Sequence, residues 1–228
     1  MNRFYEWKQS DDGTHELYIF GDITSYKWDE SDVTAFDMSK ELSKIESDLH
    51  VRINSYGGDV SNGLAIYNLL KSYGEKHKVT TYCDGFACSA ASVIFMAGQE
   101  RIMPKSSLLL IHNAWTFASG DFNELRKQAD DLEKITKPSL EIYKSVSNLS
   151  EKEIQQMMDK EEWITADEAL SYGFATSIGE EAEAKQSLSR QMLQRTILYA
   201  KRLEQENKQL KEGQKPTNPW KQYFKGGH

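Results

Sequence analysis

Three short segments of the 228-residue sequence combine residue types that could carry out nucleophilic acyl transfer. The first runs from Asp84 to Ser92, where a predicted strand passes through Gly85 into a helix rich in small residues. Ser89 falls in the first turn of that helix, where free N–H groups and the helix dipole favour negative charge. The G-x-S-x-G elbow is absent, and on local sequence alone a tightly packed helix that needs Ala and Ser for clearance is the simpler explanation. Ser92 lies one turn deeper and is a weaker nucleophile candidate.

The other two segments follow predicted strands. Gly57 and Gly58 come after the strand 51–54, and paired glycines let bare backbone N–H groups approach an anion or a developing oxyanion. Taken alone, the pair is an ordinary turn. His112 follows the apolar run 108–111, and so emerges at the carboxyl edge of the sheet, where sites of α/β proteins collect. A lone histidine at a strand end is more often structural, so the three signals describe one site only if they share one end of the sheet.

Alternating strands and helices must position these residues. Strands are predicted at 17–20, 51–54, 79–83, 101–103, 108–112 and 174–178, and helices at 31–47, 60–73, 89–97, 122–147, 151–158 and 166–172. This alternation predicts an α/β fold with a largely parallel sheet. Capping signals mark several helix ends, namely Asp121 with Glu124, Ser150 with Glu153, Thr165 with Glu168, and Gly173. Pro138 falls inside the long helix and is expected to kink or divide it.

The composition narrows the class of protein. With 39% apolar and 28% charged residues, the chain is expected to form one core plus an appendage. The first ten residues do not resemble a signal peptide, and the longest apolar run is too short to cross a bilayer. Cys83 and Cys88 lack the companions that a zinc site or a disulfide framework needs. We therefore expect a cytoplasmic protein that has no membrane partner.

Charge divides the chain into a body, residues 1–182, and a tail, residues 183–228. From Lys185 onward there are ten Lys or Arg against three Glu, a net charge of +7. Because the net charge of the whole chain is −7, the other 184 residues have a net charge of −14. The tail favours a helix with a thin apolar stripe, followed by a disordered end containing Pro216 and Pro219. A solvated helix without a partner and a tether to another protein both fit this pattern. Nucleic acid is not expected as a partner of the acidic body, and aromatic residues are sparse in the tail.

Four ordered motifs resemble the Clp protease proteolytic subunit over residues 16–178. They are Asn54-Ser55-x-Gly57-Gly58, Gly85-x-Ala87-x-Ser89, Ile111-His112, and Trp163-Ile164-Thr165-Ala166-x-Glu168-Ala169 with Tyr172-Gly173. Segments 3–7 and 157–163 resemble the phage and prophage head-maturation branch more than the housekeeping enzyme. The resemblance implies a spiral of ββα units, shared with crotonase-like proteins, with a C-terminal helical tail added.

The resemblance also implies a role for each site residue. Ser89 aligns with the nucleophile and His112 with its general base, while the N–H groups of Gly58 and Ala90 align with the oxyanion-hole donors. His112 would take the Ser89 proton during attack on a peptide carbonyl, and would then activate the water that hydrolyses the acyl-enzyme. This chemistry requires neither a metal nor an organic cofactor. Tyr56 stands where the family usually has proline, which leaves the oxyanion loop less rigid.

A carboxylate should complete the triad. Alignment through Trp163 places Glu161 where the housekeeping family has aspartate, and a Glu there could orient the imidazole if its longer arm is accommodated. Asp159, two residues earlier, is the alternative third member. For both residues, the alternative explanation is a solvated acidic turn over residues 159–162.

The resemblance implies homo-oligomeric rings that cleave polypeptides, with helix 122–147 between rings. In the phage branch the enzyme would act inside an immature capsid, in the bacterial host cytoplasm, on coat or scaffold protein. The housekeeping alternative works with an ATP-dependent AAA+ unfoldase. Acyl-CoA hydratases of the same fold use acidic residues, so Ser89 with His112 argues against them. A catalytically inactive capsid-assembly or scaffold protein is the alternative of another class.

Overall fold

The computed structural model describes residues 5–9, 13–25 and 33–179. Within them, eight strands and six helices alternate along most of the chain. The strands are β1 (Tyr5–Gln9), β2 (His15–Ile19), β3 (Leu49–Ser55), β4 (Val79–Cys88), β5 (Glu100–Pro104), β6 (Leu108–Ile111), β7 (Glu162–Thr165) and β8 (Ser177–Gly179). The helices are α1 (Ala35–Leu42), α2 (Val60–Tyr73), α3 (Ala90–Phe95), α4 (Phe122–Val146), α5 (Glu151–Asp159) and α6 (Ala166–Tyr172).

The strands form one sheet in the order β1-β2-β3-β4-β5-β8, and a branch leaves β4 through β6 to β7. Five of the described pairings are parallel, while β1 with β2 and β6 with β7 are antiparallel. The predicted α/β class with a largely parallel sheet is therefore confirmed. The sequence analysis did not predict β1 or β7, because neither segment shows a clear period-two pattern bounded by turn residues.

The core fills the space between one face of the sheet and the helices. Leu17, Val51 and Ile53 are fully buried on that face, whereas the residues between them in β2 and β3 are half-buried. Helix α3 is buried at every position, as expected of a helix that packs on all sides. A Cβ at Gly63 of α2 would lie 2.7 Å from the Cβ of Ala90, so small residues set the close approach of α2 to α3.

Helix α4 differs from the others because only its second half packs against the core. Every residue from Trp115 to Asp130 is exposed, and the buried positions of the helix begin at Thr136. The helix is one continuous element through Pro138, so the prediction that proline could divide it is wrong. Proline removes the hydrogen bond to the carbonyl of Lys134, and both residues are exposed, where water can replace that partner.

Helix ends follow the predicted caps. The boxes built on Asp121, Ser150 and Thr165 are all present, and Gly173 closes α6 in the left-handed conformation at φ 87°. Helix α1 is shorter than the predicted helix 31–47, since Thr34 caps its start and Ser43 ends it. The boundary at residue 182 and the basic tail lie outside the described residues. No helix in the described part of the chain is both long enough and apolar enough to span a membrane.

Candidate active site

Strand β4 changes partners halfway along its length, and this change leads the chain to Ser89. Its first half pairs with β5 and its second half with β6. Between the halves, the pairing with β3 moves from Ile53–Cys83 to Ser55–Ala87, two residues along β3 but four along β4. The two extra residues of β4 form a bulge at Asp84 and Gly85. The Asn54 side chain fills the gap, because its Oδ1 accepts a hydrogen bond from Phe86 N–H at 3.0 Å. A Cβ at Gly85 would lie 2.7 Å from that oxygen, so glycine is needed there.

A mostly buried ion pair, with side chains 19% and 11% exposed, holds the bulge from the side. The guanidinium of Arg52 donates to both carboxylate oxygens of Asp84, at 2.7 Å from Nε and 2.5 Å from Nη2. Burial by itself would lower the pKa of Arg52, but the hydrogen bond and charge of Asp84 overcome this and raise it. The Arg52 guanidinium also stacks over the ring of Tyr82 at 4.7 Å. The bend that carries β4 toward the site is therefore fixed by a planar, two-point contact.

Ser89 stands at the junction of β4 and α3 in a strained backbone conformation. The sequence analysis expected it in the first helical turn; it is the N-cap residue of α3, with φ 55° and ψ −128°. These angles match the first central residue of a type II′ turn, where glycine is normally required, so a serine there costs about 1–3 kcal/mol. The Ser89 side chain makes no cap hydrogen bond. A sharp, strained turn from strand to helix that leaves a hydroxyl uncommitted is the arrangement of a nucleophile elbow.

The glycine pair lies directly against this turn. A Cβ at Gly57 would lie 2.5 Å from the carbonyl oxygen of Cys88 and 2.7 Å from the Cβ of Ser89. Gly57 has φ 96° and Gly58 has φ 140°, and a Cβ at Gly58 would collide with the carbonyl oxygen of Ile23. The glycine pair is therefore required by close packing and by backbone conformation, and is more than an ordinary turn.

The two proposed oxyanion donors are free amides. Gly57 O and Asp59 N–H both bond to Ile23, at 2.9 and 2.8 Å, which turns the N–H of Gly58 to the opposite side of the segment. Neither Gly58 N–H nor Ala90 N–H donates a hydrogen bond to any other described residue. Ala90 is the first residue of α3, where the amide has no partner within the helix. Both amides could therefore donate to a ligand oxygen.

His112 leaves β6 at the edge where Ser89 leaves β4. These strands are parallel neighbours, and Ser89 N–H donates to Leu110 O at 2.9 Å. The His112 Nδ1 lies 2.7 Å from the backbone carbonyl of Asn113, which can only accept, so Nδ1 carries the proton. In the neutral imidazole, this tautomer presents Nε2 as an acceptor, which is the form that a general base needs. No hydrogen bond joins the described side chains of His112 and Ser89, so they share the edge without forming the catalytic contact.

Neither candidate acid forms a hydrogen bond or an ion pair with the imidazole of His112. Glu161 immediately precedes β7, and continuing the antiparallel register of β7 with β6 by one residue places it across from His112; its φ is 52°. Its exposed side chain has no hydrogen-bond or ion-pair partner among the described residues. Asp159 accepts hydrogen bonds from Asn113 Nδ2 and Gln155 Nε2, both at 2.8 Å, and these bonds lower the pKa of its carboxyl. Asp159 is therefore joined to the residue next to His112, and the sequence analysis did not identify Asn113 and Gln155 as part of this network.

The other nucleophiles near Ser89 are buried. Ser92 is fully buried and its hydroxyl donates to the Ser89 carbonyl at 2.6 Å. Cys88 is 1% exposed, and burial raises the pKa of its thiol to about 12. In the described residues, no group of three or more His, Cys, Asp or Glu side chains could hold a metal ion. Of the hydroxyl and thiol groups in this segment, Ser89 alone is partly exposed and uncommitted.

A sequence profile of the Clp protease family matches residues 29–182, more than two thirds of the chain. The chain belongs to the Clp protease family. It is 30% identical over 135 residues to the ATP-dependent Clp protease proteolytic subunit of Deinococcus radiodurans, covering 58% of this chain and 65% of that protein. The protein of the same description from Bacteroides fragilis is 30% identical over 154 residues, covering 64% of this chain and 73% of its own length.

A solved structure of the family shows the same fold. A ClpP1 point mutant from Listeria monocytogenes superposes with a TM-score of 0.60 at 24% identity, covering 73% of this chain and 91% of that one. The chain thus spans about two thirds of the Deinococcus protein and nine tenths of the Listeria structure. The predicted similarity to the Clp proteolytic subunit is confirmed at the level of family and fold.

Proposed function

We propose that this Clp protease family member is a serine endopeptidase in which Ser89 is the nucleophile and His112 the general base. The observation that carries the proposal is the strained turn at Ser89, with Gly57 packed against the Ser89 Cβ and with His112 at the same sheet edge, its Nδ1 held by the carbonyl of Asn113. Strain of this kind persists only where surrounding structure enforces it, and it concentrates at functional sites. The relatives' description as proteolytic subunits supports the same reaction.

The reaction would be acyl transfer in two steps. Ser89 Oγ attacks the peptide carbonyl while its proton passes to His112 Nε2, and the amides of Gly58 and Ala90 stabilise the oxyanion. His112 then gives the proton to the leaving amine, and water hydrolyses the acyl-enzyme. Each oxyanion donor would lower the barrier by about 3 kcal/mol. Glu161 is the proposed third member and Asp159 the alternative.

Labelling with a fluorophosphonate tests the nucleophile. We expect covalent modification of the wild type at Ser89, no labelling of Ser89→Ala, and slower labelling of His112→Ala. Ser106→Ala, which removes an exposed hydroxyl from a turn, serves as the matched control and should label as the wild type does. Labelling that persists in Ser89→Ala, or a wild type that does not react, would contradict the proposal and favour a non-catalytic assembly protein.

We further propose that the protein works as a homo-oligomeric ring. Trp115 and Phe117 are 66% and 78% exposed, and Phe122 and Leu125 continue this apolar surface onto the projecting half of α4. An exposed surface of large apolar side chains supports burial against another copy. Light scattering after gel filtration should give a mass several times 26.2 kDa, and Phe117→Glu should reduce it. A monomeric wild type would contradict the ring.

The proposed biological role is maturation of a phage capsid, with coat or scaffold protein as substrate. Support comes from segments 3–7 and 157–163, which resemble the head-maturation branch. Coexpression of the wild type or Ser89→Ala with neighbouring capsid genes, followed by mass spectrometry of new termini, tests this role. New termini in coat or scaffold protein with the wild type alone are the expected result.

The housekeeping role is the second candidate, because the relatives are described as subunits of an ATP-dependent protease. Under that role, degradation of a folded protein should require an AAA+ unfoldase and ATP. Cleavage of capsid proteins without either component would favour the phage role.

A further inference from the structure

A chain of two buried hydroxyl groups ends on the carbonyl oxygen of Ser89. The Ser92 hydroxyl donates to that oxygen at 2.6 Å, and the Tyr143 hydroxyl lies 2.8 Å from Ser92 Oγ. Since Ser92 has a single proton, which it gives to Ser89, Tyr143 must be the donor to Ser92. The direction of the chain is therefore Tyr143 to Ser92 to Ser89. The Ser92 N–H also donates to the Ser89 carbonyl oxygen, at 2.9 Å.

This chain acts on the peptide unit that carries one of the proposed oxyanion donors. The carbonyl of Ser89 and the N–H of Ala90 belong to the same planar trans peptide and point in opposite directions. A carbonyl held toward the buried Ser92 and Tyr143 therefore turns the Ala90 N–H away from the core. No described group accepts a hydrogen bond from that N–H. The orientation of the Ala90 N–H is therefore set by the hydrogen bonds that hold the Ser89 carbonyl of the same peptide unit.

The conformation of Ser89 explains why such a hold is needed. An ordinary serine N-cap has an extended backbone and uses its own hydroxyl to bond the first turn. Ser89 has φ 55° and its hydroxyl makes no cap bond, so the usual local restraint is missing. A strained residue relaxes unless its surroundings over-determine it. Three hydrogen bonds to the Ser89 carbonyl oxygen supply that restraint: short ones from the Ser92 hydroxyl and the Ser92 amide, and a longer one from the Val93 amide at 3.3 Å.

Tyr143 is placed to be a permanent donor. Its side chain is 1% exposed and packs edge-on against Phe174, with ring centroids 6.0 Å apart. Burial raises the pKa of its hydroxyl above the ordinary tyrosine value, so the group is protonated at neutral pH. It comes from the packed half of α4, whereas Ser92 comes from α3. The contact therefore ties the nucleophile turn to a different helix.

We propose that Tyr143 and Ser92 are positioning residues that lock the peptide between Ser89 and Ala90, so that the Ala90 N–H stays directed at the oxyanion. Neither side chain touches substrate; both act through the peptide plane. The inference rests on the proposed serine peptidase function. Because an oxyanion forms only in the transition state, loss of the lock should affect kcat and leave substrate binding nearly unchanged.

Tyr143→Phe and Ser92→Ala, alone and combined, test the proposal with a fluorogenic peptide that the wild type cleaves. We expect kcat to fall about 10- to 100-fold in each variant, with KM within about threefold of wild type. The affinity for a peptide boronate, which mimics the tetrahedral intermediate, should fall by the same factor as kcat. The combined variant should lose little more than either single one, since both act on one plane.

Tyr73→Phe is the matched control. Its hydroxyl also donates to a backbone carbonyl, that of Ser47 at 2.7 Å, at the opposite end of α2 from the glycine pair. We expect this control to keep the wild-type kcat and boronate affinity. Rates are to be divided by the concentration of sites that a fluorophosphonate titrates, so that a loss of folded protein does not count as a loss of kcat.

The outcomes separate this inference from the proposed function. If the wild type labels and cleaves but Tyr143→Phe and Ser92→Ala keep full kcat per titrated site, the positioning role is refuted while the peptidase stands. A fall in kcat without loss of boronate affinity, or an equal fall in Tyr73→Phe, refutes it as well. If the wild type neither labels nor cleaves, the proposed function fails and the inference fails with it.

Discussion

Substitution of Gly57 by alanine should impair catalysis far more than it impairs folding. Gly57 has φ 96°, and a methyl group there would lie 2.5 Å from Cys88 O, 2.7 Å from Ser89 Cβ and 3.0 Å from Ala90 N. None of these neighbours is the flexible end of a side chain; two are backbone atoms and the third is the Cβ of the nucleophile. Relief of the overlap must therefore move the glycine loop away from the turn at Ser89.

The size of the displacement sets the expected effect. Ordinary van der Waals separation requires the loop to retreat by about 0.7–0.9 Å. A misplacement of about 1 Å in catalytic geometry costs roughly 100-fold in rate, or about 2.7 kcal/mol in the barrier. Alanine at a positive φ adds about 1–2 kcal/mol of backbone strain. We expect kcat of Gly57→Ala to fall about 100-fold, with a small additional loss of stability.

Gly13→Ala is the control that separates strain from displacement. Gly13 has φ 87°, close to that of Gly57, but a Cβ there would meet no atom within 4 Å. Both variants should lower Tm by about 2–8 °C, the range that 1–2 kcal/mol produces in a domain of this size. The Gly13 variant should keep the wild-type kcat. Peptide hydrolysis per titrated site and thermal unfolding by circular dichroism measure the two quantities.

Two results would refute the reasoning. A Gly57→Ala enzyme with kcat within threefold of wild type would mean that the glycine loop does not set the geometry of the site. Equal losses of kcat in Gly57→Ala and Gly13→Ala would mean that the loss reflects general destabilisation rather than the contact with Ser89.

Three further predictions concern other parts of the site. If Glu161 is the third member of the triad, Glu161→Gln should lower kcat at least about 100-fold and Asp159→Asn less than about tenfold, measured as peptide hydrolysis at about pH 7.5. The reverse order of losses would assign the role to Asp159. Burial raises the pKa of the Cys83 and Cys88 thiols to about 12, so only about 1 thiol in 10,000 is ionised at pH 8. Iodoacetamide should therefore leave both cysteines unmodified until denaturant is added. Rapid modification of the native protein would contradict their burial. Asp84→Ala should destabilise the fold by about 2–3 kcal/mol in urea unfolding, because it leaves the mostly buried guanidinium of Arg52 without its carboxylate partner. A change below about 0.5 kcal/mol would show that the pair contributes little.

Much of the fold could be predicted from local sequence because the signals are local. Apolar runs such as 108–111 mark buried strands, and Thr165 and Gly173 bracket α6 by capping chemistry that depends on nearest neighbours. The branching of the sheet at β4 could not be predicted in this way. It depends on Asn54 reaching Phe86, 32 residues away, and on Gly85 leaving room for the contact. Neither residue shows in its own neighbourhood that the strand will change partners there.

Part of the candidate site could likewise be predicted from local sequence, and part could not. Ser89, His112 and the glycine pair are recognisable by type and spacing, but the strain at Ser89 appears only in three dimensions. A serine-rich helix start predicts an ordinary N-cap with an extended backbone, whereas Ser89 has φ 55° and ψ −128°. The small residues of α3 suggested a packed helix as the alternative to a catalytic one. The packed-helix interpretation is confirmed, since α3 is wholly buried, while the catalytic role of the half-buried Ser89 at its start stays a prediction.

The hydrogen bonds around His112 bear on which carboxylate completes the triad. A backbone carbonyl can hold Nδ1–H in the right tautomer, but it cannot stabilise the imidazolium that forms when the serine proton arrives as well as a carboxylate does. Asp159 would have to give up two hydrogen bonds of 2.8 Å to reach the ring, and its lowered carboxyl pKa reflects the stabilisation it would lose. Glu161 has no hydrogen bond or ion pair with the described residues to give up. The cost of reorganisation therefore favours Glu161, whose longer side chain suits a position across from His112 in the β6–β7 register.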